Sequence, residues 1–340
     1  MTHYIGLDAH SKTCTAVVTD FKGTILKKSV FPTTERDLKS FIDSVKRPRR
    51  LAFEEMNIAQ WLYVLLKDDV DEIQIAHAAH LTKQRGAKTD YIDAVRLATE
   101  LRNGTITQVF HADNAFFDLR QVVKSHQDVT QDLVRAKNRY KSFLRSKGKF
   151  VSGAAIYDNV EVRDSFEKEH EKFIATNNFE QIRSLAVIKA LYEKKLAGIA
   201  KQWPKIQSLC SIPGISHIRA TMIMAIVCSG DRFADKHKFW SYCCLVRHSE
   251  ISDGKVYGNR KAKGSLDLKC VFMGAAVSVL VGQSSLRKYY DRLRTKGESD
   301  RDARKAVARK IAAIALMTMK TGVAFDDHHD LKGSRLAAPQ

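Results

Sequence analysis

The sequence predicts a mixed fold: an α/β domain first, then long helices, then a mostly helical C-terminal region. Three observations lead there. Residues 3–76 alternate short β-branched and apolar runs with turn residues and helical stretches. Residues 112–147 contain neither Pro nor Gly and repeat apolar residues at helical spacing. Beyond residue 200, apolar helical runs are joined by short turns, one of them Ile212-Pro213-Gly214-Ile215. The expected division is 1–111, 112–200 and 201–325, with a polar tail over 326–340.

Tyr4, Ile5 and Leu7 make a first strand that ends at Asp8, and Thr13 to Val18 make a second. Gly23 turns the chain into a third, carried by Ile25, Leu26, Val30 and Phe31. Thr34 is suited to open a helix over 34–46. Arg50 to Glu54 is strand-like, Ala59 to Leu66 helical, and Glu72 to Ala76 a further strand. A helix follows Asp90, with Ile92, Ala94, Val95, Leu97, Ala98 and Leu101 as its apolar positions. Three hairpin-like strands followed by alternating strands and helices is the element order of an RNase H-like α/β domain.

The acidic residues stand out by position. Asp90 and Asp93 lie three residues apart, on one face of the predicted helix. An Asp at a helix start also serves as a cap or a favourable charge near the dipole. Asp8 and Glu54 close predicted strands, where sites in open α/β sheets gather. Glu55 is the alternative to Glu54. Four carboxylates meeting at one point repel one another unless cations neutralise them. A hard divalent ion takes carboxylate oxygens and leaves positions for phosphate, and two such ions orient attacking and leaving oxygens of a phosphodiester.

The whole chain points to a polyanionic partner. Among 340 residues, Lys and Arg number 57 against 38 Asp and Glu, a net charge of +19. Such a surplus most often marks nucleic-acid binding. No apolar run reaches the roughly 20 residues that span a bilayer, and no basic amphipathic anchor or signal peptide is expected. The six cysteines are scattered without Cys-x-x-Cys, which predicts buried free thiols rather than a zinc site.

In the middle region, Phe117, Leu119, Val122, Val123, Val129, Leu133 and Val134 form one apolar stripe. Ile182, Leu185, Val187, Ile188, Leu191 and Leu196 form another. An antiparallel helical pair or a dimerising coiled coil fits both. Between Arg135 and Lys149 the chain holds seven basic residues and no acid. Arg135, Lys137, Arg139, Lys141 and Arg145 are candidate phosphate contacts, whereas Tyr140 and Phe143 sit at packing spacing.

Further on, Ile212-Pro213-Gly214-Ile215 has the form of a helix–hairpin–helix turn, whose next helix offers its N-terminus to an anion. Residues 239–270 place serines among glycines and cations, including Lys255, Arg260, Lys261, Lys263 and Lys269. A hydroxyl in such surroundings is a type that attacks a phosphodiester, with the cations stabilising charge on phosphorus oxygens.

Ile5-Gly-Leu-Asp-Ala-His10, Phe53-Glu54 and above all Lys88-Thr-Asp-Tyr-Ile-Asp-Ala94 resemble the N-terminal domain of the RuvC-like DEDD insertion-sequence transposases, relatives of the Piv-type DNA invertases. Residues 239–270 and the helix Asp302–Ala312 are similar to the family's second, serine-containing transposase domain. The resemblance spans roughly residues 3–325 and is least specific in the middle helices. It implies that Asp8, Glu54, Asp90 and Asp93 hold Mg²⁺ or Mn²⁺. Ser252, with Ser249 as fallback, would be the nucleophile, forming a covalent serine–DNA intermediate. It also implies donor and target DNA as partners, a bridge RNA, and a homo-oligomer (dimer or tetramer) in which the serine of one subunit meets the acidic cluster of another. The setting implied is the cytoplasm of a bacterial or archaeal cell, on nucleoid DNA. A Piv-like invertase without a guide, or a non-catalytic nucleic-acid-binding relative, are the alternatives. The serine segment departs from the family in three places: a Pro is absent after Leu245, Asp253 replaces a Gly, and the later lysine falls at Lys263 with Ala262 before it.

Overall fold

A computed structural model describes residues 1–77, 89–111, 115–150, 153 and 155–327. Lys88, the domain boundary expected at 111/112 and most of the expected tail fall outside these residues or at their margin. The chain divides into two compact units, residues 1–114 and 115–340.

The first unit is a five-stranded mixed sheet with helices on both faces, consistent with an RNase H-like domain. The strands are β1 (His3–Ala9), β2 (Thr13–Thr19), β3 (Ile25–Pro32), β4 (Arg49–Glu54) and β5 (Glu72–Ala76), in the order β3-β2-β1-β4-β5. β1 pairs antiparallel with β2 and parallel with β4. The helices are α1 (Glu35–Asp43), α2 (Ala59–Leu66) and α3 (Asp90–Asn103). Thr34 and Thr89 cap α1 and α3 by accepting from the amides of Asp37 and Ile92. All these elements were expected, with ends moved by a few residues.

The two faces of the sheet follow the period-2 rule. Ile5, Leu7, Leu51 and Phe53 point to α1 and α2 and share a core with Leu38, Ile42, Leu62 and Leu66. Ala52 and Ala76 point the other way, to Leu97 and Leu101 of α3. Gly6, on that second face, makes the tightest contact. A Cβ placed there would lie 2.0 Å from the carbonyl oxygen of Ala94 and 2.5 Å from the amide of Ala98. Only a residue without a side chain lets α3 come this close to β1.

In the second unit, α4 (Ala115–Ser146) and α6 (Glu169–Gln202) form an antiparallel pair, with the short α5 (Val160–Asp164) between them. Near one end Leu133, Tyr140 and Leu144 pack with Ala175, Phe179 and Ile182. Near the other, Leu119 and Val123 join Leu196 and Ala200 in the core of the C-terminal helices. The second predicted stripe splits accordingly: Ile182 and Leu196 are buried, whereas Val187, Ile188 and Leu191 are exposed. Tyr140 is fully buried against Phe179, a packing residue as its spacing indicated.

The C-terminal helices are α7 (Pro204–Cys210), α8 (His217–Val227), α9 (Lys236–Tyr242), α10 (Leu266–Val279), α11 (Ser285–Thr295) and α12 (Asp300–Thr321), with a two-stranded hairpin, β6 (Arg247–Ser252) and β7 (Lys255–Lys261), between α9 and α10. In the α7–α8 turn, Ile212 and Ile215 are buried and Gly214 faces α10, its missing Cβ position 2.4 Å from the carbonyl of Ala275. The glycine thus serves close helix packing. All six cysteines are free thiols; Cys14, Cys228 and Cys243 are buried, Cys210 and Cys244 half-buried, and Cys270 exposed. No helix among the described residues is long and apolar enough to cross a membrane.

Gly6→Ala is expected to destabilise the protein by about 3 kcal/mol, because the clash is with helix backbone that cannot rotate away; a denaturant titration measures it. A second expectation concerns pH. His126 is buried between α4 and α6, with Glu193 Oε1 3.8 Å from its Nε2 and Lys189 nearby. Burial lowers its pKa, opposed by Glu193 and reinforced by Lys189. The unfolded chain therefore binds the proton first as pH falls below about 6.5. Its contribution is constant above that pH and is lost below it. Thermal melts from pH 7.5 to 5.5 should show the wild type losing more stability than His126→Gln.

Candidate active site: four carboxylates and a serine hairpin

Asp8 and Glu54 lie at the C-terminal ends of neighbouring parallel strands, each one residue past the paired Leu7 and Phe53. Strand alternation points both to the α3 side of the sheet. Asp90 and Asp93 occupy the first turn of α3, where their charge faces the positive end of the helix dipole. The close approach at Gly6 sets this helix start beside the end of β1.

The four carboxylates fall into two pairs, each bridged by a nitrogen of one side chain. His10 Nε2 lies 3.3 Å from Asp8 Oδ2 and 3.6 Å from Asp90 Oδ1. Arg96 Nη2 lies 2.9 Å from Glu54 Oε1 and 2.9 Å from Asp93 Oδ1. Asp8 is the most buried of the four, its side chain 11% exposed. That burial raises its pKa; His10 opposes the rise, while Asp90 and Asp93 add to it. Glu55 turns elsewhere: its Oε2 is 2.6 Å from Nε2 of His111.

Ligand atoms of Asp8, His10 and Asp90 lie within 4.8 Å of one another. Carboxylate oxygens are the donors a hard divalent cation takes, so the residues present fit such an ion. His10 and Arg96 were not among the site residues expected from sequence. The Asp93–Arg96 spacing of three is a helix-neighbour signal, but the link from Arg96 to Glu54 needs the folded sheet.

Ser252 lies at the tip of the β6–β7 hairpin, exposed and directly opposite Lys255. Ser249 faces Asn259 further down the ribbon. The two linking residues, Asp253 and Gly254, have φ of 49° and 70°. Two consecutive positive φ values mark a type I′ turn, for which Asp-Gly is a favoured pair. Asp253 therefore fits the place of the family's glycine here. At the ribbon's base His248 Nε2 is 2.9 Å from Ser241 Oγ, and Ser265, which caps α10, bonds back to the carbonyl of Tyr242.

Lys255, Arg260, Lys261, Lys263 and Lys269 are all exposed. On α4, Arg135 and Arg145 are exposed, Arg135 pairing with Asp132. Arg139 donates to Gln181, Lys137 sits over the Tyr157 ring, and Lys141 is half-buried. A groove of about 850 Å³ on α12 is lined by Trp240, Tyr289, Met317 and Phe325, among others; Ser252 does not line it.

The sheet and its acidic cluster are consistent with a DEDD-type domain, a class that uses divalent metal ions. Residues 5–148 match the transposase family DEDD_Tnp_IS110, and residues 206–291 match the transposase IS116/IS110/IS902 family. No curated protein matches the chain. The protein belongs to the IS110 family of transposases and is a DNA transposase/recombinase, an enzyme that acts on DNA.

Asp253→Val should cost the hairpin about 1–2 kcal/mol, the penalty for a β-branched residue in the left-handed region, while Asp253→Gly preserves it. Amide hydrogen exchange across Arg247–Lys261 distinguishes the two.

Proposed function

We propose that this transposase cuts and rejoins donor and target DNA through a serine–DNA intermediate, guided by a bridge RNA. Asp8, Glu54, Asp90 and Asp93 hold Mg²⁺ or Mn²⁺, and Ser252 is the nucleophile. The observation that carries this reading is the gathering of four carboxylates from two strand ends and one helix start. Glu54, which shares Arg96 with Asp93, is favoured over Glu55, which pairs with His111.

When bound, divalent ions supply charge that orients the phosphate and stabilises the leaving oxygen. The protein's own groups do the rest. Ser252 Oγ attacks the scissile phosphorus, gives up its proton, and forms a phosphodiester to the chain as one deoxyribose oxygen leaves and is protonated. Attack on that serine ester by the corresponding hydroxyl of a second strand restores the DNA and the serine. Bond energy is conserved throughout, so no nucleotide is consumed. Lys255, opposite Ser252, supplies positive charge beside the reacting phosphate.

The basic residues on α4 and around the hairpin form the phosphate-binding surface, and the α7–α8 turn is a further candidate contact. The exposed Val187, Ile188 and Leu191 on α6 support assembly as a homo-oligomer. We propose a tail beginning at residue 326 and the cytoplasm, on nucleoid DNA, as its place of action; the division expected at residue 200 falls inside α6, whose Leu196 and Ala200 pack with the C-terminal helices.

A recombination assay with donor DNA, target DNA, RNA and Mg²⁺ tests the reading. Ser252→Ala and Asp90→Ala should each lower product at least about 1,000-fold, and only Asp90→Ala should retain the hydroxyl needed for any residual serine-linked DNA. Cleavage that survives Ser252→Ala but not Asp90→Ala would instead mark a plain metal nuclease. Recombination without added RNA would mark a Piv-like invertase.

A further inference from the structure

We infer that Arg96 is the resident counter-ion of the carboxylate site: it positions Glu54 and Asp93 and competes with a divalent cation for them. This rests on the proposed reading of the four carboxylates as a cation site.

The geometry is specific. Arg96 stands one turn beyond Asp93 on α3 and reaches across to the end of β4. A single nitrogen, Nη2, lies 2.9 Å from an oxygen of each carboxylate. The side chains are well sheltered, Arg96 and Asp93 each 14% exposed and Glu54 30%. Arg96 Nε is buried with no hydrogen-bond partner among the described residues. The guanidinium is therefore held at the cost of one unsatisfied donor, and the two carboxylates are what hold it there.

The same contacts divide the site. Asp8, Asp90 and His10 form one group with ligand atoms within 4.8 Å, and neither Glu54 nor Asp93 belongs to it. For all four carboxylates to face a common ion, Arg96 must release at least one of them. Arginine does not do so by losing its proton, since it stays charged in proteins; it has to swing aside. Whatever Arg96 contributes to the metal-free state is then subtracted from ion binding, by ordinary linkage. A divalent cation also replaces its charge, so the carboxylates are never left to repel one another. Arg96 acts through Glu54 and Asp93, and is a positioning residue.

The sign of the effect makes this testable on the full-length protein with Mn²⁺ alone. Isothermal titration should show Arg96→Met binding Mn²⁺ about tenfold more tightly than wild type. In EDTA the variant should melt below wild type, and saturating Mn²⁺ should close that gap. Arg96→Lys, which restores a cation, should bring both readouts back toward wild type. If Arg96→Met does not fold without metal, Arg96→Gln carries the same comparison. Mn²⁺ affinity that is unchanged or weaker in these variants overturns the inference, because a purely packing role lowers stability equally with and without metal. Wild type that binds Mn²⁺ no better than Asp8→Asn plus Asp90→Asn sinks the cation-site reading itself, and the inference with it.

Discussion

The approach of α3 to β1 at Gly6 is the contact on which the acidic site depends. A side chain at residue 6 would meet the backbone of Ala94 and Ala98 directly. Because it is absent, the first turn of α3 is set against the end of β1, and Asp90 comes within reach of the same His10 that meets Asp8. Alternation along β1 does the rest: Gly6 and Asp8 share one face, while Ile5 and Leu7 secure the strand from the other. The packing constraint and the chemical placement are thus two residues apart on one strand.

Bringing carboxylates together opposes folding, and the protein offsets the repulsion with its own side chains. Arg96 serves Glu54 and Asp93, and His10 serves Asp8 and Asp90. The pKa of Asp8 is raised, first by burial and then by the charges of Asp90 and Asp93, against the opposing pull of His10. An acidic cluster embedded in a chain of net charge +19 also has a long-range setting: the field of the whole molecule draws phosphates in, while the cluster repels them until cations intervene.

The second unit uses a different strategy. Its core is built from helices, and Ser252, the proposed nucleophile, is carried outward on a ribbon whose residues are nearly all exposed. A two-stranded ribbon is marginal in water by itself, and the type I′ turn at Asp253-Gly254 supplies the twist that keeps it paired. Exposed Ile251, Val256 and Tyr257 near the tip, and the uncovered apolar residues of α6, are surface that a lone chain leaves wet.

Local pattern determined much of this protein. Strand alternation, the Thr34 cap, and the Pro- and Gly-free run before Gly148 are properties of neighbours in sequence, so the elements and the helical spacing of Tyr140 could be read directly. The motif around Asp90 and Asp93 was legible for the same reason, since residues three apart on a helix share a face. What tertiary structure decided was every relation across the chain. That Arg96 reaches Glu54 over 42 positions and that Gly214 answers to Ala275 rather than standing free both depend on packing between distant elements. Those distances are set by which faces meet, and no local periodicity encodes them.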